Sequence, residues 1–561
     1  MSIRKNGKLI RWIYVMLIIQ WVLLLAKSDA YFSCYLLCGM VAVGGVLSDA
    51  GEKETKEIKN RAAITLAAAV YSAAVMLANY PLISNALNAG LLMCGGYAVG
   101  EQGIRLIDAW MMRASERKSK EQRKHAFVVF ASVFLAAAAI DLGYMFCKNY
   151  PGTLTPDSLS QIEQILTGKY SNHHPYWHTK LIEVFVKPVM LLFGDINAAV
   201  AVYNVAQILM MASCFAFAVM TLYQVGVSKG ILIAAALPYL VIPFHVVYSH
   251  TVWKDILFGG AMLLMSVSFL RIFRDIGEKR KNYVFLTVGL IGMALLRNNG
   301  WLALLASLIL GAILFGRKHG RALLTIGVVL VISWVMKNPV LNMLGVEGSN
   351  FRESLSIPLQ QIARVIAYDG DISQEQKEVL SQVIDVDMIP QWYRPGRSNP
   401  IKNQTDGEYI REHKGEFLKL WIEVGLQNPV VYVEAWVEQT KGYWNGGYDY
   451  MSWSEGISPN EMGIVGKRVF DKKFSDMVIP EICSLPFSMG LHVWLFAALF
   501  VIHLIRGRRE MAYLAVPVLM MIGTLMVATP IFCEFRYAYG VFTVLPFYAA
   551  LSLNSPGEKT A

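Results

Sequence analysis

One long polar stretch, residues 150–179, combines an acidic residue, three histidines and several aromatic residues between apolar segments. The candidate carboxylate is Asp157, and the imidazoles belong to His173, His174 and His178. A carboxylate can take a proton as a general base, and imidazoles can hold a phosphate or a sugar hydroxyl by hydrogen bonds. Ionisable groups gathered at the edge of apolar segments make this stretch the first candidate for chemistry.

Asp157 belongs to a predicted short helix. Thr155 suits the N-cap, Pro156 the first helical position and Gly168 the stop. Asp157 then lies in the first turn, where the helix dipole and the free amides favour its ionised form. Two interpretations follow: an ordinary first-turn residue, or a carboxylate held at a membrane surface as a general base or metal ligand.

The histidines leave the question of a metal open. His174 and His178 have the i, i+4 spacing that places two imidazoles on one helix face, but Pro175 interrupts that helix. A divalent metal is therefore one alternative, and hydrogen bonding to phosphate or a sugar hydroxyl is a second. The third is that the histidines are merely polar residues of the membrane interface. The seven cysteines contain no CxxC or zinc-type spacing, and we assign no metal ligand.

Further charged residues stand at the ends of other apolar segments, in the short motifs WKD, RNNG and E.RY. Cations beside carboxylates can clamp a phosphate or diphosphate. Cations at that depth also commonly extend to lipid head groups, which is the simpler interpretation of each one alone. The charged residues are Lys254, Asp255, Arg297, Glu534 and Arg536, and the neutral Asn298 follows Arg297.

Apolar helices must position these groups. Of the 561 residues, 55% are hydrophobic and only 16% are charged. Apolar runs of about 18 to 22 residues recur, each long enough to cross a bilayer, so we predict an all-α polytopic membrane protein. The net charge of +10 does not indicate nucleic-acid binding, because the excess Lys and Arg lies in short loops, as the positive-inside rule expects.

About fourteen spanning helices are predicted, with the basic loops in the cytoplasm. This topology requires that residues 179–195 do not span, and their polar stripe of Lys180, Glu183 and Lys187 predicts a helix lying in the interface. Five polar features then share the extracytoplasmic side, namely 153–178, 248–255, 297–300, 338–484 and 533–537. The predicted spans lie near 9–26, 31–47, 62–79, 82–99, 126–147, 197–223, 230–249, 255–273, 282–296, 300–315, 322–337, 485–505, 511–530 and 537–553.

We predict four parts along the chain. Residues 1–125 form an N-terminal block of four transmembrane helices with a basic cytoplasmic loop. Residues 126–337 form a transmembrane core whose first outer loop is 148–196. Residues 338–484 form an extracytoplasmic segment of soluble composition, and residues 485–561 supply the last transmembrane helices.

The motifs TPDS, NHHP followed by HT, WKD, RNNG and E.RY resemble those of a largely uncharacterised family of bacterial multi-spanning proteins. Over roughly 126–553 the chain is similar to the C-type (GT-C) membrane glycosyltransferase superfold. The resemblance implies a core of about ten helices and a catalytic acid in the first outer loop, where Asp157 stands. Two adjacent acids are frequent there in the superfold, whereas Ser158 follows Asp157 here. The block 1–125 is also extra, so the donor and acceptor stay open.

The resemblance implies transfer of a sugar from a polyprenyl-phosphate donor to an acceptor outside the bacterial plasma membrane. The acceptor would be a cell-envelope glycan, a glycolipid or a protein, and membrane lipids would surround the chain. Asp157 is expected to act as the base, and a single base predicts inversion at the anomeric carbon. The phosphate is expected at Lys254, Arg297 and Arg536, and the substrate at His173, His174, His178, Asp255, Asn298 and Glu534.

Two other functions use the same outer residues. A transporter or flippase of lipid-linked glycans would bind the same phosphate without reaction. A ligase or polymerase of lipid-linked glycans would rely on histidine and arginine rather than on Asp157. A purely structural membrane protein is the remaining alternative.

Overall fold

The structure is a computed structural model that describes residues 2–28, 32–48, 58–115, 124–446, 455–469 and 485–554. Within these ranges the chain is helical, with isolated β-bridges and no β-sheet. The prediction of an all-α polytopic protein is confirmed at that level. Parts of the predicted basic loops at 53–61 and 105–124, and parts of the segment 338–484, lie outside the described residues.

Seven of the described helices are long and apolar enough to cross a membrane, which makes the chain a membrane-embedded protein. The pair 229–241 and 243–249 would make an eighth span, bent by 52° at its break. Three further apolar helices, 9–25, 32–47 and 489–505, are shorter. The expected fourteen spans therefore exceed the helices that meet the length and composition of a span in the described ranges.

The N-terminal helices pack around aromatic residues such as Trp21 and Tyr35, whose rings meet edge to face at 5.5 Å. The last of the four helices continues past the predicted end at residue 99. Three of its charged residues are paired: Arg105 with Glu101 at 2.8 Å, and Asp108 with Arg506 of the C-terminal part. The helices are α1 (Ser2–Leu25), α2 (Phe32–Leu47), α3 (Ile58–Ala78) and α4 (Ala86–Ser115).

The central part of the chain is built around one deeply buried helix, 254–273, which packs against three neighbouring long helices. The elements are α5 (Ala126–Lys148), α6 (Pro156–Thr167), α7 (Tyr176–Phe193), α8 (Ile196–Gln224), α9 (Lys229–Val241), α10 (Pro243–Ser249), α11 (Lys254–Phe273), α12 (Lys279–Leu296), α13 (Asn298–Phe315) and α14 (Gly320–Lys337). The buried helix is α11, and its neighbours are α8, α12 and the last helix of the chain, 539–553.

Helix α7 carries the predicted polar stripe. Glu183 accepts hydrogen bonds from Lys180 and, at 3.2 Å, from Lys187. The helix is not among those with the length and composition of a span. It packs on α6 and α8.

The segment 338–484 has its own apolar cluster, which includes Leu359, Ile362, Ile410 and Leu420. Its helices are α15 (Pro339–Met343), α16 (Ser356–Ala367), α17 (Gln374–Ser381), α18 (Ile389–Trp392), α19 (Asn399–Gln404), α20 (Gly407–Glu412), α21 (Lys414–Gln427) and α22 (Pro429–Trp444). The chain then ends with α23 (Met489–Ile505), α24 (Arg509–Ala528) and α25 (Tyr539–Leu553).

The two ends of the helix bundle differ in charge. Helix α11 has 20 residues and is about 30 Å long. Its last turn leads to Arg274, which lines one pocket together with Lys318 and Arg508 of two other basic loops. We call this the basic end. The predicted site residues stand at the opposite ends of α11, α13 and α25, which we call the site end.

Candidate functional site

The loop 150–179 is joined to the turn 248–255 by main-chain hydrogen bonds. The amide of Thr153 donates to the carbonyl oxygen of His250 at 2.9 Å, and the amide of Val252 donates to the carbonyl oxygen of Thr153 at 3.1 Å. The hydroxyl of Ser158 donates to the carbonyl oxygen of Val252 at 2.8 Å. Two of the five polar features thus form one layer at the site end.

The other three features join this layer. Asn172 donates its amide to the carbonyl oxygen of Glu347 at 2.7 Å, which attaches the loop to the segment 338–484. From the same segment, the hydroxyl of Tyr443 accepts the amide of Glu534 at 3.1 Å. Arg297 donates to the carbonyl oxygen of Tyr537 at 3.0 Å. All five polar features that the sequence singled out therefore meet at one end of the bundle.

Helix α6 begins and ends as its sequence predicts. Thr155 is the N-cap and forms a capping box with Ser158, Pro156 is the first helical residue, and Gly168 ends the helix with a φ of 71°. The cap is also held from outside, because the indole of Trp253 donates to the Thr155 hydroxyl at 2.8 Å. This places Asp157 in a rigid first turn, with its side chain 35% exposed.

Arg536 is the partner of Asp157. Its Nη1 donates to Oδ2 of Asp157 at 2.8 Å, and its Nε lies 3.3 Å from Oε1 of Glu534. The guanidinium also stands over the ring of Trp253, 4.8 Å from the ring centre. One arginine is thus shared between an accessible carboxylate and a buried carboxylate, and an aromatic ring fixes its plane.

The electrostatics keep Asp157 ionised. Burial alone would raise the pKa of its carboxyl, but the charges of Arg536 and Lys254 outweigh burial and lower the pKa to about 2. Asp157 is therefore a carboxylate throughout the physiological range. In this arrangement it is also a weak base, because Arg536 stabilises the charged form.

His174 and Lys254 form the second polar contact of the site. Nζ of Lys254 lies 3.5 Å from Nδ1 of His174, and the imidazole is buried. Burial, together with the nearby lysine, lowers the pKa of His174 to about 3, so the ring is neutral at pH 7. A neutral ring that accepts from Lys254 at Nδ1 carries its proton on Nε2. His173 is exposed, and its ring packs edge-on against that of His174.

His178 is fully buried, away from the surface of the site. Its Nδ1 pairs with Oε1 of Gln161 at 3.1 Å, and its Nε2 with the hydroxyl of Tyr203 at 3.1 Å. The Tyr203 hydroxyl also lies 3.0 Å from Oε1 of Gln207, whose amide donates to the carbonyl oxygens of residues 249 and 251. Burial lowers the pKa of His178 to about 3. This chain of bonds positions α6, α7 and α8 relative to the turn 248–255.

Arg297 and Asp255 form a buried ion pair at 3.0 Å, with side chains 8% and 1% exposed. Arg297 also stacks against the ring of Tyr537 at 4.7 Å. Asn298, the next residue, is exposed at the start of α13. The structure thus separates the predicted cations: Arg536 and Lys254 surround Asp157, whereas Arg297 is neutralised inside the fold.

The described residues contain no group of three or more His, Cys, Asp or Glu side chains that could hold a metal ion. The pair His174 and His178 shows why: the two rings have different partners, Lys254 for one and Tyr203 for the other. A divalent metal at this pair has no further ligand in the described part of the chain.

Three residues at the site were not predicted. Trp253 belongs to the WKD motif. Its indole N–H donates to the N-cap of α6, and its ring packs against the guanidinium of Arg536. Tyr203 and Gln207 lie on the long apolar helix α8, and polar residues at i and i+4 in such a helix are the signal that marks them. Their role is to support the loop that carries Asp157.

The fold and the site define the class: an all-α membrane protein with a carboxylate, cations and imidazoles at one end of its helices. Residues 166–559 match the family model DUF6020, described as a family of unknown function, and the chain belongs to this family. The matched range contains the histidines and all the cations of the site, while Asp157 precedes it. No curated protein and no solved structure matches the chain.

Proposed function

We propose that the chain is a membrane glycosyltransferase that moves a sugar from a polyprenyl-phosphate donor to an acceptor hydroxyl, with Asp157 as general base. The observation that carries the proposal is the contact of Asp157 with Arg536, beside Lys254. A partly exposed carboxylate beside two cations offers a base for the acceptor and a counter-charge for the departing phosphate.

The location of the site supports a lipid-borne donor. Lys254 begins α11, and the 534–537 turn that carries Arg536 leads into α25. A phosphate bound there would lie at the membrane surface, where the head group of a polyprenyl lipid is presented. The basic loops gather at the other end of the bundle, so the positive-inside rule favours an extracytoplasmic site in the plasma membrane.

The proposed reaction is a single displacement. The acceptor oxygen attacks the anomeric carbon of the donor while its proton passes to Asp157. The bond between the anomeric carbon and the phosphate oxygen breaks, and its electron pair leaves on the polyprenyl phosphate. Arg536 and Lys254 stabilise the negative charge that grows on that phosphate. The sugar is transferred with inversion.

The pairing of Arg536 with Asp157 implies that the donor binds before the proton is transferred. While Arg536 binds Asp157, the carboxylate is a weak base, with a pKa of about 2. A donor phosphodiester competes for the same guanidinium and offers it two oxygens in bidentate geometry, and the polyprenyl phosphate that leaves gains a second negative charge. When Arg536 turns to the phosphate, Asp157 loses its strongest counter-charge and becomes a better proton acceptor. Donor binding thereby prepares the base.

The remaining predicted residues have supporting roles in this proposal. His173 and His174 contact the substrate, because His174 is neutral and can donate from Nε2. Glu534 holds Arg536 in place, and Arg297 with Asp255 fixes the turn around Tyr537. His178 acts at a distance, by positioning α6.

The test uses the purified full chain, a panel of polyprenyl-phosphate sugars and a mixture of envelope-type acceptors. Asp157→Asn should abolish donor turnover with unchanged expression. Glu163→Gln, an exposed acid on the same helix, is the matched control and should stay active. Transfer at the wild-type rate by Asp157→Asn would overturn the assignment of the base.

One observation favours transport of a lipid-linked glycan as a second candidate. The span formed by α9 and α10 is broken at Ile242 and Pro243 with a bend of 52°, and broken helices are common in transporters. A transporter would move labelled lipid-linked sugar across vesicles without consuming it. It would tolerate Asp157→Asn, whereas the transferase would not.

A further inference from the structure

The basic end contains a cavity of about 210 Å³ whose lining is strongly cationic. Three separate loops contribute: Arg274 follows α11, Lys318 lies between α13 and α14, and Arg508 and Arg509 precede and begin α24. The guanidinium of Arg508 is buried, with only 6% of the residue exposed, and the other three cations stand at the rim. Four cations this close together repel one another. The cavity therefore either holds an anion or keeps a high positive charge.

Among the described residues that line the cavity, one is acidic, Glu510, and four are cationic. Glu510 is already bound to Lys318 at 2.9 Å and to His319 at 2.7 Å. The lining therefore keeps an excess of positive charge. Helix α24 also begins here, and its N-cap, Arg508, makes no side-chain cap bond, so the helix dipole adds to the positive potential.

The wall of the cavity on the membrane side is apolar. It consists of Leu314, Phe315 and Met511. Phe315 is held by the rings of Phe273 at 5.5 Å and Tyr513 at 5.0 Å, so this wall is well packed. These residues lie at the ends of α13 and α24, both of which have the length and composition of a span. The cavity therefore stands at the depth of lipid head groups, with hydrocarbon-like surface beneath it.

We propose that this cavity binds the phosphate group of an anionic phospholipid from the leaflet at the basic end. Arginines in fork geometry suit phosphate oxygens, and a basic pocket between transmembrane helices is suited to an anionic head group. The apolar wall formed by Leu314 and Phe315 favours a lipid over a soluble phosphate, because it offers a surface for the glycerol and the first acyl carbons. This inference does not depend on the proposed transferase activity.

Native mass spectrometry of the full chain from nanodiscs tests the proposal. Phosphatidylglycerol is titrated into phosphatidylcholine nanodiscs, and inorganic phosphate is titrated in a parallel arm. Arg274→Gln with Lys318→Gln removes two rim cations and leaves the buried Arg508 in place. Arg317→Gln with Arg321→Gln removes the same charge from the same end but outside the cavity lining, and is the matched control.

The wild-type chain should retain phosphatidylglycerol in preference to phosphatidylcholine. The cavity variant should weaken that retention by about 30-fold, and the control by less than about threefold. Equal losses in both variants would overturn the proposal, because they would indicate diffuse surface attraction. Retention of inorganic phosphate with no preference between the lipids would also overturn it, by making a soluble anion the ligand.

Discussion

Replacement of Asp157 by Asn should have two opposite effects: loss of turnover and tighter binding of the phosphate ligand. Asp157 holds Arg536 at 2.8 Å in the ligand-free chain. A phosphate that binds Arg536 must displace this carboxylate and remain near its negative charge. Asn removes the competing negative charge and its repulsion, so Nη1 of Arg536 can turn to the phosphate while Nε stays beside Glu534.

The structure gives the magnitude. The cations around Asp157 lower the pKa of its carboxyl from 3.8 to about 2. At 1.36 kcal/mol per pKa unit, this difference corresponds to about 2.4 kcal/mol before screening. The carboxylate is 35% exposed, and solvent weakens such pairs, so we take about 1 kcal/mol. That energy corresponds to a dissociation constant about fivefold lower in the Asn variant.

The assay is equilibrium binding of a polyprenyl phosphate, without a sugar, to detergent-purified protein. Four chains are compared: wild type, Asp157→Asn, Arg536→Gln and the double variant. Arg536→Gln should weaken binding about tenfold, because a charge-assisted bond to the phosphate is lost. In that background Asp157→Asn should bring little gain, since the two side chains act as one coupled pair.

Two results would contradict a competition between Asp157 and the phosphate for Arg536. One is equal or weaker binding by Asp157→Asn, which would mean that Arg536 does not receive the phosphate. The other is a full fivefold gain in the Arg536→Gln background, which would place the phosphate on Lys254 alone. Glu163→Gln controls for general loss of negative charge on α6 and should bind as the wild type does.

Three further predictions concern the scaffold. Burial lowers the pKa of His178 to about 3, whereas an unfolded histidine titrates near 6.5, so only the unfolded state takes up this proton on acidification. The contribution of His178 to stability should therefore fall by about 2 kcal/mol from pH 6.5 to 5, and thermal unfolding of His178→Gln should show a shallower acid slope; an unchanged slope would contradict this. Gly152→Ala should destabilise by about 3 kcal/mol, because φ is 136° and the new methyl group would overlap Asn204. Gly168→Ala, at φ 71° in open space, should cost about 1 kcal/mol in the same unfolding assay. Asp255→Asn should destabilise by about 3 kcal/mol, since it leaves Arg297 buried without its counter-charge; Asp275→Asn, in an exposed pair, should have no measurable effect.

Local patterns predicted the local geometry well. The bounds of α6 follow from Thr155, Pro156 and Gly168, because capping and chain reversal depend mainly on neighbouring residues. The polar stripe of α7 likewise follows from its spacing. The span count was less predictable, since the length of a helix depends on contacts made elsewhere. Helix α4 extends beyond its apolar run because Arg506, far along the chain, neutralises Asp108.

The contacts between the site residues could not be predicted from the sequence, because they too depend on residues far apart in the chain. Asp157 and Arg536 are 379 positions apart, and their contact depends on how α11 and α25 pack. The sequence placed Lys254, Arg297 and Arg536 in one group, because each stands at the end of an apolar run. Only the packing of the helices shows that one of the three, Arg297, is buried.

The two ion pairs of the site end differ in a way that bears on function. Arg297 and Asp255 are both buried, so breaking their contact leaves a charge without solvent, and exchange with a ligand is costly. In the second pair Asp157 is 35% exposed, and water can solvate it when Arg536 moves to another anion. Exchange of the carboxylate for another anion therefore costs little free energy at the Asp157–Arg536 pair and much more at the Arg297–Asp255 pair. A phosphate that enters this end of the bundle should replace the carboxylate at Arg536 and leave Arg297 in place.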